Sequence, residues 1–222
     1  MGCAMYARLL ATLCLLTLSA LSARADSTVP AGSALDVYVK GQEGSTPDVL
    51  AALNRELGTL MRTAGFRVLW RAAGDPPSPA GAEHLVIVEL RGVCMPQFAS
   101  MASVPLSSTV PLASSSVADG RVLPFSWVNC TALNRFLGPT ASGLPPVEQN
   151  ELYGRSVARL LAHELYHVLA QTNDHAPAGI AKARFSTADL LADHFDFETV
   201  ALDRLHPPAL IQSGDDTSVS GR

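Results

Sequence analysis

The feature that most constrains this chain is a long helical run from Val147 to Ala170. Leu152, Val157, Leu160, Leu161, Leu165, Val168 and Leu169 supply apolar positions at three- and four-residue spacings, the signature of one helix face. Inside that run lies His163-Glu164-Leu165-Tyr166-His167. Positions i and i+4 are neighbours on a helix surface. Two imidazoles therefore converge on one side, with the Glu164 carboxylate one step round. That pairing suits a divalent ion, zinc above all, with the carboxylate placed to take a proton from an attacking water. Shuffled chains of this composition reproduce the pattern in well under ~1% of cases, so the spacing carries information.

Zinc needs a third protein ligand and one open position. His175 follows His167 by eight residues. It lies just past Thr172-Asn173-Asp174, where the helix is expected to break, and a chain turning back there brings it to the two helical histidines. Asp174 is the nearest competitor, with Asp189, Asp193, His194 and Glu198 behind it. Asp193 is also a candidate to orient a ligand imidazole from behind. Arg184 and His206 are candidate donors to a developing oxyanion. Tyr166 faces away from the motif histidines at its helical angle, toward the core or the shell behind the ligands. Phe185, Phe195 and Phe197 read as core residues and His84 as structural.

From His163 to Ser186 the chain resembles the metzincin branch of zinc metallopeptidases. That family's motif runs His-Glu-x-x-His-x-x-Gly-x-x-His and is followed by a Met-containing turn. The same stretch also resembles secreted bacterial proteins of unassigned function that share the His-Glu-Leu-Tyr-His core. The resemblance implies a zincin-like fold, His163 and His167 as zinc ligands, Glu164 as general base, and peptide-bond hydrolysis. Ala170 stands at the family's glycine and Asn173 at its third histidine, with His175 two residues on. Gly179-Ile180-Ala181 occupies the place of the Gly-x-Met turn, and no methionine follows Met101. Another zincin layout draws a glutamate from a later helix, which here would be Glu198. The alternative to a working peptidase is a zinc-bearing interaction module on the same scaffold, without turnover.

The start of the chain reads as an export signal. Arg8 precedes an apolar run from Leu9 to Leu21, and Ser22-Ala23-Arg24-Ala25 offers small residues for cleavage after Ala25. Residues 1–25 are thus an expected signal peptide, 26–212 one metallopeptidase-like domain, and 213–222 a disordered tail. The expected address is secreted or periplasmic. In such an oxidising compartment Cys94 and Cys130 are expected to pair. Closing that loop contributes roughly 4 kcal/mol in the chain-entropy account. The chain carries 16 Lys+Arg against 20 Asp+Glu. Losing Arg8 and Arg24 with the signal makes the mature net charge about −6, which argues against nucleic acid and anionic membranes as partners. A peptide or protein substrate is the partner expected.

Ahead of the active run, strands are expected at Leu35 to Val39, Phe66 to Trp70, Leu85 to Leu90 and Arg121 to Val128. Leu85 to Leu90 is continuous enough to be central. A helix opens at Thr46-Pro47-Asp48 and stops at Gly65. Residues 95–119, rich in Ser, Ala and Pro, show no clear period and read as a functional loop or insertion, with room for a hairpin through Ser107 to Ala113. A short helix from Thr131 is expected to close at Gly138-Pro139. Ser186 to Asp189 resembles a capping box that opens a helix through His194, and Thr199 to Leu205 is one more. The fold class is α+β: helices packed on one side of a small mixed sheet.

Overall fold

The computed structural model describes residues 32–41, 44–76, 82–101 and 110–206. The expected signal peptide and tail lie outside them, as do residues 77–81 and part of the 95–119 stretch. The described residues all belong to one unit, Gly32–Arg222.

Alternation builds the sheet. Val86, Val88 and Leu90 are buried while Leu85, Glu89 and Arg91 are exposed, so β3 (His84–Arg91) turns one face to the core. With β1 (Ser33–Lys40), β2 (Phe66–Ala72), β4 (Ala113–Ala118) and β5 (Arg121–Asn129) it forms one sheet in the order β2-β1-β3-β5-β4. β3 is central, as its apolar run implies. β2, β1, β3 and β5 are parallel; β4 pairs antiparallel with β5 at the edge.

The helices are α1 (Pro47–Thr63), α2 (Phe98–Met101), α3 (Cys130–Ala141), α4 (Pro146–Ala170), α5 (Thr187–Leu191) and α6 (Thr199–Leu205). α1 begins as expected, with the Thr46 hydroxyl accepting the Val49 N–H at 3.3 Å and Pro47 in the first turn. Its buried stripe of Val49, Ala52, Leu53, Leu57, Leu60 and Met61 packs along α4. Gly154 makes the approach possible. A Cβ there would lie 2.4 Å from the Val49 carbonyl oxygen and 2.7 Å from the Ala52 Cβ. Five residues on, Arg159 is fully buried and donates to Glu56 at 2.8 Å, fastening α4 to α1. A buried guanidinium is tolerable only when it finds acceptors; the Asp189 and Leu190 carbonyls accept from Nη1 at 2.8 and 3.1 Å.

Some expectations are corrected. The 95–119 stretch is not wholly irregular: it contains α2 and the edge strand β4. The hairpin described is β4–β5, turning at Asp119 and Gly120, both at positive φ; the one expected through Ser107 to Ala113 begins outside the described residues. α3 runs through Gly138-Pro139 to Ala141, because a proline in the last turn forfeits only one internal hydrogen bond. The Ser186 capping box is present, but α5 ends at Leu191, short of His194.

Cys94 and Cys130 form the expected disulfide, Cα atoms 5.0 Å apart, joining the segment after β3 to the first residue of α3. Beside it the buried Asn134 donates to the Met95 and Cys130 carbonyls at 3.0 and 3.2 Å and accepts the Gln97 N–H at 2.7 Å. The bridge thus closes the loop that carries β4. Among the described residues no helix is long and apolar enough to cross a membrane.

Candidate metal centre

α4 carries the site on its last turns. His163, Glu164 and His167 are 8%, 4% and 7% exposed, so the motif is built into the core and not displayed on a solvated helix. The helix ends at Ala170, and Gln171 adopts the left-handed conformation at φ 49°. A non-glycine residue there is uncommon. Its side chain holds it in place, donating to the Val168 and Val122 carbonyls at 2.7 and 3.0 Å. The reversal lies one residue past Ala170, where the metzincin motif has its glycine. It swings the Thr172 carbonyl back to 2.7 Å from His167 Nδ1.

A second carbonyl does the same for His163. The segment from Ala176 to Lys182 folds into a tight turn, with the Ala176 N–H donating to the Ala181 carbonyl at 2.8 Å and the Lys182 N–H to the Gly179 carbonyl at 3.2 Å. Gly179 sits at φ 67°, and a Cβ there would meet the Asp196 carbonyl oxygen at 2.5 Å. Only glycine fits. The turn places the Ile180 carbonyl 2.8 Å from His163 Nδ1 and buries Ile180 and Ala181 completely.

Both carbonyls are acceptors, so both Nδ1 atoms carry the proton. Each Nε2 is then a bare lone pair. The two Nε2 atoms face each other at 3.0 Å. Two acceptors at that distance repel unless a cation lies between them, which is the arrangement a metal ion satisfies. His175 closes the set. Its ring centroid lies 5.3 Å from that of His163 and 4.8 Å from that of His167. One ligand atom from each histidine falls within 4.8 Å of the others, and these three make the one such group among the described residues. Three imidazoles this close, two of them buried, could hold a metal ion, and nitrogen donors of this kind are within the range zinc accepts. Burial pushes the His163 imidazole down to about 4 and lowers that of His167 as well, so both are neutral at physiological pH and free to ligate.

Glu164 points to the sheet. Its Oε2 accepts from the Ser115 hydroxyl of β4 at 2.7 Å, and Ser115 Oγ is 2.9 Å from Ser126 Oγ of β5. Burial raises the carboxyl to about 7, against the Ser115 hydrogen bonds, which favour the charged form. The Phe185 ring stands edge-on to His163 at 5.4 Å and to Phe195 at 5.7 Å; both rings are partly buried and pack against the core, as expected, and Phe185 also touches the centre.

The other sequence candidates go elsewhere. Asp174 is exposed and outside the three-histidine group. Asp189 caps α5 and pairs with Lys182 at 2.7 Å. Asp193 does not support a ligand; it lies 3.6 Å from Arg155 and is 92% exposed, while the Ile180 and Thr172 carbonyls do the orienting. His194 and Glu198 line a separate open cavity of about 490 Å³ with Lys182 and Phe195. His206 is spent on the Ala64 carbonyl at 2.6 Å and stacks on Phe66. Arg184 is exposed and forms no ion pair among the described residues. Tyr166 is buried, its hydroxyl accepting from Arg204 at 2.9 Å. Ser115, Ser126, Gln171 and the two carbonyls were not visible as site residues in the sequence.

A scan of the chain against protein-family models finds no match, and a search of curated proteins finds none either.

Proposed function

We propose that this chain is an exported zinc-dependent hydrolase of peptide bonds, with His163, His167 and His175 as the metal ligands and Glu164 as the general base. The observation that carries the reading is the pair of Nε2 lone pairs facing each other at 3.0 Å, each fixed in tautomer by a carbonyl behind it. A zinc ion held there supplies Lewis acidity, activating water and polarising a carbonyl. The residues of the chain do the rest. Glu164 takes the proton from the attacking water on its carboxylate and delivers it to the leaving amine. A carboxyl raised to about 7 is matched to both halves of that transfer.

The sheet supports a polypeptide substrate. β4 is an edge strand one hydrogen bond away from Glu164. An extended peptide laid along such an edge gains main-chain hydrogen bonds whatever its sequence. The Cys94–Cys130 bridge favours an oxidising, extracytoplasmic setting.

The test uses mature protein loaded with zinc and a broad peptide library. Glu164→Gln is expected to keep the metal and lose nearly all turnover. A wild type that binds zinc and cleaves nothing rejects the hydrolase and leaves the interaction module.

A further inference from the structure

Glu164 has two carboxylate oxygens, and the fold treats them differently. Oε2 accepts from Ser115 Oγ at 2.7 Å. Among the described residues no hydrogen bond reaches Oε1. A serine hydroxyl has a single proton. Ser115 Oγ lies near three acceptors or partners: Glu164 Oε2, the Glu164 carbonyl oxygen at 3.2 Å and Ser126 Oγ at 2.9 Å. The shortest contact is to the charged acceptor, so the proton goes there. Ser126 must then donate to Ser115. The hydroxyls form a directed chain, Ser126 to Ser115 to Oε2, that starts on the buried side chain of β5 and ends on the base.

The strands are built to hold this chain. Ser115 and Ser126 are register partners, and the pairing shifts between Ser115 and Val117, immediately beyond them. Irregularities of this kind gather beside active sites, where they end the ladder. The disulfide closes the loop that carries β4, and the hairpin turn anchors its other end.

We propose that Ser115 is a positioning residue, its hydroxyl clamping Oε2 of Glu164 so that Oε1 alone is presented for proton transfer. The inference rests on the hydrolase reading above. An unclamped carboxylate samples other rotamers, and misplacement by about 1 Å costs on the order of a hundredfold in rate.

The experiment compares zinc-loaded wild type, Ser115→Ala and Ser115→Thr by crystal structure and by kcat and KM on one cleaved peptide. In Ser115→Ala the Glu164 side chain is expected to leave its single rotamer. Zinc content stays at the wild-type level and KM within ~2-fold, while kcat falls ~10- to 100-fold. Threonine keeps the hydroxyl and suits a strand, so Ser115→Thr is expected to restore kcat to within ~3-fold of wild type. If Ser115→Ala does not fold, Ser115→Cys carries the same test, because it keeps the shape of the side chain and offers Oε2 only a weak S–H donor. A Glu164 side chain unmoved in the alanine variant overturns the proposal, as does a threonine variant as slow as alanine. A wild type without turnover sinks the hydrolase reading alone, and the position of Glu164 in the alanine variant still decides the role of Ser115.

Discussion

His163 and His167 ride on a buried helix, whereas His175 stands exposed on the irregular segment that follows it. The helical half is rigid because α4 is packed along α1, tied by the Arg159–Glu56 pair and closed in by the sheet. The loop half is held by backbone: the Gln171 reversal and the Gly179 turn. The difference teaches how such a centre is assembled. Side chains of the helix supply direction, and carbonyls of the loop supply tautomer and angle. Neither half makes a site without the other, yet they should fail in different ways.

The largest effect belongs to the helical half. Apparent zinc binding of ~10–16 kcal/mol shared among three protein ligands gives each roughly 4 kcal/mol. His163→Ala and His167→Ala are therefore expected to weaken zinc by on the order of a thousandfold, measured by chelator competition. His175→Ala removes an exposed ligand that water can replace, and the expected loss is nearer ~100-fold. Equal losses at all three positions would erase the distinction between the halves.

Acid should strike the helical half next. The folded pKa of His163, about 4, lies below the ordinary 6.5 because burial opposes its charge. The unfolded chain therefore binds the proton first. Stability of the metal-free protein is unaffected above pH 6.5 and falls as the pH drops from 6.5 toward 4, by up to about 3 kcal/mol. Urea unfolding of chelated protein across that window reads the effect, and His163→Gln should reduce it, leaving the share of His167, which burial also lowers.

The loop half is tested through its backbone. Gly179→Ala forces a Cβ against the Asp196 carbonyl and shifts the Ile180 carbonyl away from His163. Losing such a supporting hydrogen bond is expected to weaken zinc ~10- to 100-fold with all three ligands intact. The smallest effect is a contrast. Asp193→Ala should change zinc affinity less than ~2-fold, because its carboxylate is solvated beside Arg155.

The two halves were also unequally legible in the sequence. The helix announced itself through a 3.6-residue apolar period, and the i, i+4 spacing of His163 and His167 fixed their shared face. His175 followed from the need for one more imidazole within reach of a turn. The Ile180 and Thr172 carbonyls left no signal, since every residue has a carbonyl and only tertiary placement selects two of them. Ser115 was hidden for another reason. β4 is Ala-Ser-Ser-Ser-Val-Ala, without apolar alternation, and its contact with Glu164 spans 49 positions of chain. The Gln171 reversal was concealed because glutamine rarely adopts that conformation; two side-chain hydrogen bonds make it possible.

Zinc-edge X-ray absorption on the purified mature protein tests the central claim most directly. The account predicts one zinc per chain with three imidazole nitrogens at about 2.0–2.1 Å and one further light-atom ligand. A protein that takes up no stoichiometric zinc, or a spectrum without histidine scattering, would contradict it.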